Sequence, residues 1–329
     1  MPAIEDTSRT GKSPRGDTSS GAPPVRLGFP LTVEAVELKP ISLGRQAMQR
    51  FTQNRLAVLS LLVLLVLIVL AIFANLLPLI NPTVGDPFNQ DSFPSRLHLL
   101  GTDSSGHDLL SAILYGLRPA LAVGIIGQVV ATILGVAIGV VAGYFGGWID
   151  SVLSRITDLV FALPTFLLAF LAVAVLGSAW DTLFGGTGRV VLITIIFGMV
   201  GWPPLMRFVR ALTLSFKEQQ FVEAAHSIGT SRWKIIIRHI LPNTWGLVLV
   251  QATFGVGGFI YNETTLSLLG LGVQPPNPDL GALVSIGAEH IDINWLESIA
   301  PAVVLAVLVV AFAFLGDGLR DAIDPRASE

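Results

Sequence analysis

The chain has 329 residues, of which 52% are hydrophobic and only 13% charged, against about 25% charged in an ordinary soluble domain. That balance defines an integral membrane protein. Lys and Arg number 20 and Asp and Glu 23, a formal net charge of -3, which offers no cationic surface for a nucleic-acid partner. The absence of Cys excludes disulfides, Cys-ligated zinc, iron–sulfur clusters and a thiol nucleophile.

Met1 to Pro30 is rich in Ser, Thr, Gly and Pro and too poor in large apolar residues to offset the entropy of ordering. Residues 1–44 are accordingly expected to be a disordered tail, and residues 45–329 the transmembrane domain. Gly11-Lys12-Ser13 resembles the end of a phosphate-binding loop, but Asp6 stands where that loop needs Gly. No apolar run follows the basic residues of the tail before Leu56, so it does not read as a signal peptide.

Apolar runs of roughly 20 residues, the length that crosses a bilayer core, then predict six transmembrane helices: Leu56–Leu77, Ala120–Ala142, Ile156–Leu176, Val190–Met206, Thr244–Leu269 and Ile299–Leu315. The second carries a small residue at every fourth position, Gly127, Ala131, Gly135, Gly139 and Gly143. That is a smooth stripe which lets a neighbouring helix approach closely. An all-α packed bundle follows. With a cytoplasmic N-terminus, Arg45, Arg50, Arg55, Arg155, Arg207, Arg210, Lys217, Arg232, Lys234, Arg238, Arg320 and Arg326 fall inside, and only Arg96, Arg118 and Arg189 outside. Lys and Arg orient helices in this way, so both termini are expected to be cytoplasmic.

This orientation places a loop at about residues 210–243 on the cytoplasmic face. Lys217 to Ser227 holds good helix formers, with Phe221, Val222, Ala225 and Ile228 at helical spacing. Gly229 fits a C-cap, Thr230 or Ser231 an N-cap, and a second helix through Trp233 and Ile235-Ile236-Ile237 would stop at Pro242. The product is a helix-turn-helix bracket on the membrane face. Ala224 and Ala225 leave it slim enough for a partner's groove, while Trp233 and the isoleucines suit the bilayer interface. On the residues alone, docking to a protein and resting on membrane lipid stay equally open.

Among polar residues, Asp158 reads as an anion near the start of the third helix, favoured by its dipole, and Gln128 as a contact between helices. Glu263, beside Asn262 in the fifth run, is costly in hydrocarbon unless it meets water or a partner. Glu263 and Asn262 are therefore expected at the translocation pathway or a subunit interface, with snorkelling at the outer surface as the plain alternative. Asp103, His107 and Asp108 read as a turn and cap rather than a metal site. A membrane-embedded hydrolase would need a nucleophile–base or metal constellation that the sequence lacks, and a secondary transporter would place more charged pairs at midplane.

Glu223-Ala224-Ala225, Gly229 after three residues, and the distal Leu241-Pro242 resemble the EAA loop of binding-protein-dependent ABC importer permeases. From about Leu56 to Arg326 the chain resembles the "C" partner of the dipeptide/oligopeptide branch. His98-Leu99-Leu100-Gly101-Thr102-Asp103 with Gly106 and Asp108, Gly143 to Asp150, Leu266 to Gly272, and Gly316 to Asp321 with Asp324-Pro325-Arg326 carry that likeness. It departs from the pattern at His107, His239, Leu280 and Ala313. The resemblance implies a type I ABC importer permease fold with a cytoplasmic EAA coupling helix, in a bacterial cytoplasmic membrane. It also implies ATPase coupling through Glu223, Ala224, Ala225, Gly229, Leu241 and Pro242. The implied partners are a similar permease subunit in a heterodimer, two ATPase subunits and an extracytoplasmic peptide-binding protein. ATP and Mg would be used by the ATPases, with no catalysis and no cofactor on this chain.

Overall fold

A computed structural model describes residues 43–323, and every regular element among them is helical apart from one bridge between Thr102 and Asp108. The tail expected at residues 1–44 lies almost wholly outside the described residues. Helix α1 (Leu43–Gln53) ends at Asn54, whose side chain accepts from the Ala57 N–H at 3.2 Å and starts α2 (Arg55–Phe73). At about 1.5 Å per residue, the 19 residues of α2 nearly cover the hydrocarbon core.

The second crossing is longer than its apolar stretch predicted. The α3 helix (Leu109–Ala122) runs through a π turn at Val123–Gly127 into α4 (Gln128–Phe145), so the helical run begins at Leu109, not Ala120. Asp108 caps it by accepting from the Ser111 N–H at 2.9 Å. Ser111, Tyr115 and Arg118 had interrupted the apolar pattern. Arg118 is used in the fold: its Nε donates to the Ala71 carbonyl at 2.7 Å and its Nη2 to Asn75 Oδ1 at 3.0 Å, satisfying the end of α2.

The predicted third span, Ile156–Leu176, straddles a break. The α5 helix (Gly147–Ala162) ends before Leu163, which is extended because Pro164 follows it, and α6 (Thr165–Phe184) starts beyond. Asp158 thus sits near the end of α5, and the dipole argument fails for it. The chain reverses at Gly185–Thr187, where Gly185 has φ +64, and α7 (Gly188–Val200) packs back on α6 with Arg189 paired to Asp181 at 2.9 Å. A second break at Gly201-Trp202 cuts the predicted fourth span before α8 (Pro203–Lys217). Among the described residues five continuous runs are long and apolar enough to cross a membrane, and the one over Thr165–Lys217 folds back on itself at Gly185–Thr187.

The α9 helix (Gln220–Ser227) and α10 (Arg232–Ile235) follow, and α10 continues through a π turn at Ile236–Ile240 into α11 (Leu241–Leu268). Pro242 therefore does not stop the helix. The widened π turn immediately before it absorbs the missing N–H and the ring's clash with the preceding turn. The short α12 (Leu280–Glu289), capped by Asp279, and α13 (Trp295–Ile323) complete the chain. One core joins α2, α3, α11 and α13 around Leu64, Ile113, Leu117, Ile260 and Leu308. A second joins α4, α8 and the bracket around Val140, Leu205, Val209, Ile235 and Ile240.

Candidate functional site: the bracket and the helices behind it

At one end of the bundle α9 lies against α4 and α8. Val222 and Ala225 are buried there with Ile235, Ile236 and Ile240. Glu223, Ala224 and Gly229 face outward, and Leu241 and Pro242 sit at the start of α11. The isoleucines expected in the bilayer interface divide: Ile235 and Ile236 enter the protein core, and only Ile237 and Trp233 stay exposed. Both side chains are buried in one cluster with Val140 of α4, Leu205 and Val209 of α8 and Ile240, which removes their apolar area from the surface.

The bend between α9 and α10 is fixed by backbone chemistry. Gly229 has φ +78, its N–H donates to the His226 carbonyl at 3.0 Å, and the Thr230 N–H donates to the Ala225 carbonyl at 3.1 Å. This is a Schellman closure, which needs a left-handed residue where Gly stands. Ser231 takes the N-cap position of α10 without a side-chain cap bond. Between α9 and the end of α4 lies a cleft of about 380 Å³ lined by Tyr144, Lys217, Glu218, Glu223 and His226.

Behind the bracket the small-residue stripe meets α8. A Cβ on Gly135 would lie 3.0 Å from Leu205 Cβ; on Gly139, 2.7 Å from the Met206 carbonyl oxygen; on Gly143, 2.8 Å from the Arg210 carbonyl oxygen. Ala131 is buried with Trp202 and Met206, while Gly127 faces Phe259 of α11. Backbone against backbone at this spacing has no compliant side chain to absorb a shift, so a displacement of α9 reaches α4 and α8 together.

The α5 helix is clasped to α8 by charge. Arg210 holds Asp150 in two bonds, Nε to Oδ1 at 2.5 Å and Nη2 to Oδ2 at 2.6 Å; Arg207 pairs with Asp158 at 2.8 Å and stacks over Phe161 at 4.2 Å. The Arg210 guanidinium keeps the Asp150 carboxyl below its ordinary value of 3.8, against the opposing effect of burial. A carboxyl lowered by folding contributes stability above the ordinary carboxylate range and loses it as pH falls through the lowered value, so the clasp holds unchanged from about pH 5 to 8. Asp150→Asn should lower the thermal midpoint in detergent by an amount equivalent to about 1 kcal/mol, since the pair is bidentate but partly solvated. An unchanged midpoint would mean the clasp adds nothing. In the sequence these arginines counted only toward orientation. Asp150 and Asp158 two turns apart on α5, with Arg207 and Arg210 one turn apart on α8, were the available signal.

Glu263 and Asn262 part company. Glu263 is 2% exposed, takes a bond from Thr264 Oγ1 at 3.4 Å and lies against Asp279. Asn262 is half-buried and borders a cavity. Gln128 donates to Thr132 Oγ1 at 3.1 Å on its own helix, with its amide directly over Gly255 of α11.

At the other end of the bundle, Asp103 accepts from the Ser105 and His107 N–H groups and meets His107 Nδ1 at 2.9 Å, while His98 Nδ1 meets Asp108 at 3.0 Å. Glu297 accepts from Ser104, and Asn294 donates to the Thr102 carbonyl at 3.1 Å, tying this turn to α13.

Paired helices clasped at one face, with a short helix exposed at one end, describe a helical membrane component that presents a surface beyond its spans. Residues 135–329 match the family described as binding-protein-dependent transport system inner membrane component, and residues 42–98 match the N-terminal transmembrane domain of oligopeptide transport permease C. The chain is 36% identical over 286 residues to the dipeptide transport system permease protein DppC of Alkalihalophilus pseudofirmus, covering 87% of this chain and 91% of the relative. It is 39% identical over 279 residues to the glutathione transport system permease protein GsiD of Escherichia coli O6:K15:H31, covering 84% and 89%. Among solved structures, an inward-facing MetNI methionine ABC transporter chain aligns with TM-score 0.50 and 19% identity over 65% of this chain and 97% of the other. The chain belongs to the binding-protein-dependent transport system inner membrane component family, as a transport permease subunit.

Proposed function

We propose that this permease carries peptides or peptide-like solutes inward across the cytoplasmic membrane, driven by separate ATPase subunits that dock on α9. The observation that carries the coupling role is the α9 bracket: Glu223 and Ala224 lie open on a slim helix whose other face is rooted in α4 and α8. The solute class is supported by the relatives, a dipeptide and a glutathione transport permease. In this reading a second, similar permease completes the pore, an extracytoplasmic binding protein delivers the solute, and ATP and Mg act only on the ATPases. Both termini and the bracket lie in the cytoplasm, an orientation supported by the arginine and lysine bias. Nucleotide-driven closure of the ATPase pair would draw the two brackets together and favour one packing of the bundle over the other.

The chain has no Cys, so Ser227→Cys offers a unique attachment point on the exposed end of α9. A photo-crosslinker placed there in native membranes should capture an ATP-binding subunit, with a yield that changes with ATP. Capture of lipid alone in an actively importing complex would sink the coupling role and leave α9 a surface anchor. Import that persists without ATP, driven by an ion gradient, would favour a secondary transporter instead.

A further inference from the structure

An amide left without a partner in an apolar bundle costs about 1–3 kcal/mol unless something else meets it. Asn262 is half-buried on α11, with its carboxamide accessible and bonded to nothing among the described residues. It borders a half-open cavity of about 280 Å³ between the two helix breaks, at Leu163-Pro164 and at Val200–Pro204. Those breaks are themselves sources of unpaired backbone. Pro203 and Pro204 have no N–H, so the carbonyls of Met199 and Val200, four residues earlier, lose their helical donors. Val200 lines the same cavity, and Phe161 and Phe259 form its apolar walls.

A separate space lies nearer the bracket end. Arg207, stacked over the Phe161 that walls the first cavity, lines this space of about 390 Å³ with Ser154, Thr157, Asp158 and Arg210. Together the two spaces follow the seam between α5 and α8, from the helix breaks to the clasp. A donor and an acceptor on Asn262, in a cavity between the aromatic walls of Phe161 and Phe259, complement a group that also carries one N–H and one C=O. A peptide bond is that group.

We infer that this seam is the inner half of the solute's route and that Asn262 is a specificity contact, bonding a backbone amide of a peptide as it passes the helix breaks. The inference rests on the peptide-importer reading above. A lipid acyl chain or a helix of the second permease are the competing occupants.

The test uses the assembled transporter in proteoliposomes with its binding protein, trialanine, and the depsipeptide analogue in which an ester replaces one amide. Asn262→Leu should cut trialanine import about 10-fold, the scale of one unmade bond to a buried polar group. It should also move the import ratio of trialanine to its ester analogue toward one, whereas Asn262→Gln keeps the wild-type preference. Independently, the thiol of Asn262→Cys should react with the water-soluble methanethiosulfonate ethylsulfonate, and trialanine with ATP should slow that reaction. Reaction only with a membrane-soluble maleimide, or crosslinking to the second permease, overturns the assignment. An unchanged ratio in Asn262→Leu while the wild type imports trialanine overturns the inference alone. Wild-type import confined to non-peptide solutes overturns the peptide reading as well.

Discussion

Gly229→Val uncouples the transporter: ATP-driven import falls by an order of magnitude or more, while the protein still reaches the membrane and assembles. Gly229→Asn keeps most of the activity. The reason is conformational and not steric, because nothing lies within 4 Å of a Cβ built on Gly229, whereas its φ is +78. A left-handed residue with a side chain costs roughly 1–2 kcal/mol, most for a β-branched one and least for Asn. The α9–α10 bend depends on that single torsion through the Schellman bonds from Gly229 and Thr230. Its loss would free α9 from the orientation that holds Glu223 and Ala224 outward without touching the spans. Import, ATPase stimulation and crosslinking from Ser227→Cys, measured together, check this. Equal loss in the Val and Asn variants would move the cause from backbone angle to a side-chain clash with the docked partner.

How much of this arrangement was legible beforehand depended on whether its signal was local. The bracket was, since helix formers, a Gly cap and an apolar periodicity lie within a few turns of one another. The fate of Ile235 and Ile236 was not: an apolar residue at a membrane surface serves lipid and protein core equally well, and only the position of α4 and α8 decides. Span boundaries failed where apolar composition and helical continuity diverge. Leu163-Pro164 breaks an apolar run, and Leu109–Ala122 continues a helix through Ser111, Tyr115 and Arg118, where Ser111 bonds to Asp108 and Arg118 bonds to the end of α2 and stacks over Tyr115. Glu263 and Asn262 looked equivalent in sequence. One residue along a helix is a turn of about 100°, enough to send Glu263 into the contact with Asp279 and leave Asn262 at the cavity.

The small-residue stripe was legible as a packing face but not as a partner, and its partner sets the second large expected effect. Alanine substitution along the stripe should destabilise in the order Gly139 and Gly143, then Gly135, then Gly127. At Gly139 the new methyl would stand 2.7 Å from the Met206 carbonyl oxygen and at Gly143 2.8 Å from the Arg210 carbonyl oxygen, both backbone atoms of α8. At Gly135 the nearest atom is Leu205 Cβ at 3.0 Å, and at Gly127 it is the Phe259 ring at 3.2 Å, which can tilt away. Overpacking against a surface that cannot yield costs about 1–3 kcal/mol, more than the gain of up to about 1 kcal/mol from replacing Gly by Ala within a helix. Gly258→Ala supplies the control, because no atom lies within 4 Å of its built Cβ and only the helical gain remains. Thermal midpoints of the purified variants in one detergent read the order directly. If Gly139→Ala behaved like Gly258→Ala, α4 and α8 could not be in backbone contact, and the bracket would have no rigid path into the bundle. If the order holds, the same glycines that let the helices touch are what make a movement of α9 a movement of the bundle, and Gly139→Ala should weaken coupling even where enough folded protein remains to measure it.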